Sequence, residues 1–175
     1  MAKLTKQHKS RRPATKRRPA NQAPPTTVVQ LANLQRRHAI KKQELCDAVG
    51  AIIIGEKAKR ANISIVIVDD ATIHRLNREF LDHDEPTDAL SFLFESTKGY
   101  VEGEIFASAD TAARAAKQFN WKFADELLLY VIHATLHLFG YDDQSAAKRR
   151  KMRQRERFYL NQFGRKPRHA NATLQ

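Results

Sequence analysis

Apolar runs of two different periods divide the chain. Residues 62–68 (Asn-Ile-Ser-Ile-Val-Ile-Val) are β-branched and nearly continuous, the pattern of a strand covered on both faces. Residues 28–31, 89–94 and 103–108 read as three further short strands, the last two joined by a loop around residues 96–99. Between and after them lie helical patterns at 35–53, 71–81, 110–119, from Asp125 to about Phe139, and 145–163. Asp70 and Asp110 stand where they would cap the second and third of these helices. The order is β-α-β-α-β-β-α-α-α, an α+β fold with a mixed four-stranded sheet packed by about five helices. Short crossovers predict that the first three strands are parallel, and the short loop makes the fourth antiparallel.

The helix from Asp125 differs from the others. It opens on two acids, Asp125 and Glu126, favourable at the positive end of the helix dipole, and is then apolar nearly all round, the mark of a central buried element. Gly140 stops it. Within it, His133 and His137 lie four residues apart and so share one face, one turn from each other. Two imidazoles so placed can reach one metal ion at about 2.0–2.1 Å each. Asp143, just past the glycine turn, can swing back as a third ligand. Three protein ligands with a fourth position for water is the pattern of a catalytic zinc site. Two core histidines bonded to backbone carbonyls are the bland alternative, and Asp142 is an alternative third ligand with Asp143 behind it. The zinc-peptidase signature has Glu directly after the first His; here that residue is Ala134, which argues against a peptidase.

Composition sharpens the picture through its distribution. Net charge is +12 over 175 residues. Residues 1–43 carry 12 Lys and Arg with no acid, residues 44–147 carry 9 basic against 18 acidic side chains, and residues 148–175 carry 10 basic ones against Glu156 alone. An acidic middle is thus flanked by basic ends. Residues 1–26, rich in Lys, Arg, Pro, Gln and Thr, are too poor in apolar surface to fold and are expected to form a disordered basic arm. Such an arm clings to phosphate or simply solubilises. It lacks an apolar h-region and so does not read as a secretory signal; a transit peptide is compositionally open, though its prolines oppose an amphipathic helix. The folded domain is expected over 27–163, followed by a basic flexible tail at 164–175. Cys46 is the one cysteine, which excludes an internal disulfide and points to a reducing, cytoplasmic setting, and no apolar run is long enough to span a membrane. The last helix, with Lys148, Arg149, Arg150 and Lys151, offers either an RNA-binding face or a solvated one.

The run His133-Ala134-Thr135-Leu136-His137-Leu138-Phe139-Gly140-Tyr141-Asp142-Asp143 resembles the signature of the YbeY family of bacterial endoribonucleases, His-Gly-x-Leu-His-Leu-x-Gly-Tyr-Asp-His. Leu76-Asn77 and Pro86-Thr87-Asp88-Ala89-Leu90-Ser91-Phe92 resemble the family's Leu-Asn and Pro-Thr-Asp-Val-Leu-Ser-Phe segments, and Gly103-Glu104-Ile105 its Gly-(Asp/Glu)-Ile strand. Met152 and Glu156 keep the spacing of its last helix, so the resemblance spans roughly residues 28–163. It implies a zincin-like central metal helix, with His133, His137 and Asp143 as ligands, and metal-dependent hydrolysis of single-stranded rRNA. It further implies 16S 3′-end maturation and late assembly of the small ribosomal subunit.

Two departures matter. Asp143 replaces the family's third histidine; a carboxylate makes the bound water less acidic and suits Mn²⁺ or Fe²⁺ as well as Zn²⁺. Leu81 stands where the family has an arginine held to matter for cleavage, and leucine cannot bind phosphate. Arg78, one turn earlier, is a candidate substitute or a plain surface arginine; Asp88 is a candidate for lining the site or a turn residue. His83 is a phosphate contact, a ligand in place of Asp143, or a loop histidine. The rival to an enzyme is a non-catalytic, RNA-binding ribosome-assembly factor with a structural metal.

Overall fold

A computed structural model describes residues 26–166. Nearly all of the expected basic arm and most of the tail lie outside the described residues. The elements are β1 (Val28–Asn33), α1 (Lys42–Gly55), β2 (Arg60–Val68), α2 (Asp70–Leu81), β3 (Ala89–Thr97), β4 (Tyr100–Ser108), α3 (Ala109–Gln118), α4 (Phe123–Leu138) and α5 (Ala146–Gln162). Four strands and five helices make the expected α+β class. Among the described residues no helix is long and apolar enough to cross a membrane.

The sheet order is β1-β2-β4-β3. β1, β2 and β4 run parallel and β3 runs antiparallel to β4, which corrects the expected direction of the last two strands. The Lys98-Gly99 turn, with Gly99 at φ 89°, fixes only that these two oppose each other. Burial decides which one lies beside β2. Val101, Gly103, Ile105 and Ala107 of β4 are all buried, whereas β3 is exposed from Leu93 to Thr97, so β4 takes the centre and β3 the edge. Gly103 is required there: a Cβ would meet Leu138 Cδ2 and the Phe92 carbonyl, each at 2.8 Å. The missing side chain lets α4 lie directly on the sheet.

One face of the sheet buries Ile63, Ile65, Ile67 and Ile105 under α1 and α4, and α5 packs in turn on those two helices. Each such side chain contributes roughly 1.5–3 kcal/mol. The opposite face is covered only in part, by α2 over Val66, Val68 and Leu90. Phe80, Phe92 and Phe106 form an edge-to-face ladder there. The strand at 62–68 is therefore two-sided only in its second half.

Local polar chemistry shifted several boundaries. The helix expected from residue 35 starts at Lys42, because the Gln35 side chain accepts the backbone N–H groups of Arg37 (2.9 Å) and His38 (2.8 Å) and holds a turn there. Asp69, not Asp70, caps α2 by accepting from Thr72 N, and Ser108, not Asp110, caps α3 by accepting from Thr111 N. Asp70 is freed to accept from the Ser108 hydroxyl (2.6 Å) and the Thr111 hydroxyl (2.7 Å) and to pair with Arg114.

Candidate metal centre

α4 ends in a Schellman turn. Gly140, at φ 84°, donates to the His137 carbonyl (3.0 Å) and Tyr141 donates to the Leu136 carbonyl (3.1 Å). This reversal carries residues 141–143 back alongside the last turn of the helix. One ligand atom from each of His133, His137 and Asp143 then lies within 4.8 Å of the others. Asp142 points elsewhere: its carboxylate takes the Gln144 N–H at 3.1 Å and the Lys148 ammonium at 2.7 Å. His83 is outside the cluster; its backbone N–H donates to the Asn77 carbonyl at 3.3 Å.

Both imidazoles are oriented from behind. His133 Nδ1 lies 2.6 Å from Glu156 Oε1 on α5, and His137 Nδ1 donates to the Tyr141 carbonyl at 2.9 Å. These acceptors leave both Nε2 atoms turned inward, 3.0 Å apart. Burial opposes charge on His133, but the Glu156 hydrogen bond and charge outweigh it and raise the ring to about 9. His137 is pushed down to about 3, first by burial and then by the charge on His133. The pair thus shares one positive charge between two inward nitrogens, at the point where a divalent ion would compete with the proton. Burial also raises the Asp143 carboxyl, against the pull of His133. The donor set, two imidazoles and one carboxylate with partners behind the rings, fits a zinc, manganese or iron(II) ion.

A second layer of contacts holds this loop. Arg149 Nη1 donates to the Asp143 carbonyl (2.9 Å) and the Gln144 carbonyl (3.2 Å). Glu56, at the end of α1, accepts from the hydroxyls of Tyr141 (3.0 Å) and Tyr159 (2.7 Å) and from Arg155 Nε (2.9 Å). These bonds outweigh burial and lower the Glu56 carboxyl. Along α4, Glu126, Tyr130, His133 and His137 form a polar stripe at helical spacing on a helix whose other residues, Asp125 and Thr135 apart, are apolar. Burial raises Glu126 to about 7, with the Tyr130 hydrogen bond opposing and the charge of Asp88 assisting. Asp88 also bears on His133 and Asp143 through its charge. Its Oδ1 is taken up locally by the Thr87 hydroxyl (3.0 Å) and Ala89 N (2.9 Å).

A cleft of about 700 Å³ opens beside the histidines, lined by Leu81, Ser91 and Leu93 on one side and by His137, Tyr141, Asp142, Lys148 and Lys151 on the other. Arg78 does not line it; exposed, it lies 3.8 Å from Asp84. Sequence reasoning passed over Glu56, and it read Arg149 as an RNA-binding or solvated residue, whereas its guanidinium holds the Asp143 loop. Nothing local marks Glu56, whose partners are 85–103 residues away. The stripe Glu126-x₃-Tyr130-x₂-His133-x₃-His137 was a readable signal.

Comparison with known proteins follows the same outline. A Thermotoga maritima protein solved in solution shares the fold at a TM-score of 0.54 and 24% identity, over 78% of this chain and 92% of that one. A protein named endoribonuclease YbeY from Rhodopirellula baltica is 46% identical over 66% of this chain and 60% of its own length. Its namesake from Chlorobium luteolum is 41% identical over 77% of this chain and 97% of its own. Residues 30–164, holding every element from the body of β1 to the end of α5, match the family described as Endoribonuclease YbeY, and the chain belongs to that family.

Proposed function

We propose that this protein is a metal-dependent endoribonuclease that cuts single-stranded RNA, acting in the cytoplasm in maturation of the 16S rRNA 3′ end and late assembly of the small ribosomal subunit. The observation that carries the reading is the inward pair of Nε2 atoms, 3.0 Å apart, each ring held from behind by an acceptor. His133, His137 and Asp143 would hold the ion, zinc by donor type, with Mn²⁺ or Fe²⁺ admitted by the carboxylate. When bound, the ion supplies Lewis acidity, lowering the pKa of a coordinated water from about 15.7 toward about 7 and polarising a phosphoryl oxygen.

The residues of the chain do the rest. Glu156 and the Tyr141 carbonyl fix the rings, and Arg149 holds the loop that presents Asp143. Lys148 and Lys151, which line the cleft, would gather the RNA backbone with Arg149 and Arg150 of the same helix and the basic ends of the chain. Of the two further catalytic candidates, Asp88 stays electrostatically tied to the cluster and Arg78 is turned toward Asp84.

Purified protein incubated with labelled single-stranded RNA should yield internal cuts, lose them on chelation, and regain them with one added metal. The His137→Ala protein should neither retain the ion by elemental analysis nor cut. One observation favours a second reading: the apolar Leu81 on the cleft wall suits a protein that binds RNA and a structural metal without cutting. RNA binding that survives chelation, with no products at any metal concentration, would establish that reading instead.

A further inference from the structure

Positive charge is plentiful near the cleft, but nearly all of it is already engaged. Lys148 is held by Asp142 at 2.7 Å. Arg149 is turned onto the carbonyls of Asp143 and Gln144, and the half-buried Arg155 is paired with Glu56. Arg78 lies outside the cleft beside Asp84. Lys151 alone among these lines the cleft and forms no ion pair among the described residues. Its ammonium lies 5.4 Å from the centroid of the Tyr141 ring.

That ring is a fixed platform. The Tyr141 hydroxyl is held by Glu56 at 3.0 Å and its carbonyl by His137 Nδ1 at 2.9 Å, so whatever rests on the ring is registered to the histidine pair. The cleft residues contributed by α2 and β3, Leu81, Ser91 and Leu93, carry no charge. Among the described residues, a nucleotide entering the cleft therefore meets one cation without an ion pair, on α5. The geometry points to Lys151 as the residue that binds the phosphodiester lying against the metal centre, an assignment that rests on the nuclease reading above. A lysine on a flexible stem suits the task, because its compact charge can leave an exposed ring face and follow a phosphate oxygen.

The test is the salt dependence of binding of a fluorescent 2′-O-methyl RNA oligonucleotide to the full-length, metal-loaded protein. Lys151→Gln should lower the slope of log affinity against log salt by about 0.7, the value of one phosphate contact on a single strand. Lys151→Arg should keep the slope, and Arg78→Gln should leave it unchanged. Cleavage of ordinary RNA by Lys151→Gln should fall at least about tenfold, at unchanged metal content and melting temperature. A Lys151→Gln slope equal to wild type, or an equal loss from Arg78→Gln, overturns the assignment. A wild type that cuts RNA while Lys151→Gln binds normally sinks this inference alone. A wild type that neither binds nor cuts sinks the nuclease reading, and this with it.

Discussion

The two walls of the cleft are built on opposite plans. On the α4–α5 side almost every polar atom is fixed: Glu156 behind His133, the Tyr141 carbonyl behind His137, Arg149 on the Asp143 loop, Glu56 gathering Tyr141, Tyr159 and Arg155. On the α2–β3 side the cleft meets Leu81, Ser91 and Leu93, while Arg78 and His74 of α2 lie against Asp84 and do not line it. One wall is preorganised for charge and the other supplies shape. A site that develops charge during a reaction gains most from donors whose orientation is already set, so the chemistry should reside on α4 and α5. Asp88 at the start of β3 is where the walls communicate, since its charge reaches Glu126, Tyr130, His133 and Asp143.

The largest effect expected from breaking this contrast is at Glu126. It is 2% exposed and held at about 7, against an ordinary 4.5. A carboxyl whose folded-state pKa is raised adds stability below about pH 4.5 that is lost as pH rises through about 7, an effect of order 3 kcal/mol. Glu126→Gln removes the titration. Denaturation of the two proteins should show wild type losing about 3 kcal/mol between pH 4.5 and 8.5 relative to the variant. Parallel curves would mean that the α4 stripe is not dry, and that the fixed wall is less closed than the burial of Glu126 indicates.

Next comes the partner behind His133. Glu156→Gln keeps a hydrogen-bonding group at Nδ1 but removes its charge, so metal affinity should fall about 10–100-fold with the fold intact, measured by competition with a chromophoric chelator. An unchanged affinity would leave the tidy arrangement behind His133 with no bearing on the ion.

How much of this was legible in the chain follows the same division. The juxtaposition of His133, His137 and Asp143 was legible, because i, i+4 residues share a helix face and the loop return of Asp143 past the glycine stop is a local event. The strand at 62–68 was legible from its β-branched content. The order of β3 and β4 was not, since the hairpin loop fixes only that the two oppose each other, and the deciding fact is the burial of β4 against the exposure of β3 from Leu93 to Thr97. Glu56 was illegible because its meaning lies in partners from α5 and the 141 loop, brought together only by the packing of α1 on α4 and α5. The cap residues were misplaced by one or two positions, where neighbouring Asp and Ser residues offered equal local choices. Arg78 illustrates the limit of helical spacing: it stands one turn from Leu81, yet Asp84 holds it on the outer side.

The smallest effect expected is also the most direct probe of the apolar wall. Leu81→Arg would place a guanidinium on the side of the cleft that now lacks charge. Leu81 packs only in part against the smaller core under α2, so the fold should tolerate the change at a cost of about 1 kcal/mol. The added cation would share the cleft with Lys151, and a single-stranded RNA entering it should gain about one phosphate contact, raising the salt slope by about 0.7. If cleavage rises with the slope, the α2–β3 wall limits the rate through its missing charge. If binding tightens while cleavage stays level, the α4–α5 wall already supplies what the reaction needs, and Leu81 serves to shape the cleft around the nucleotide.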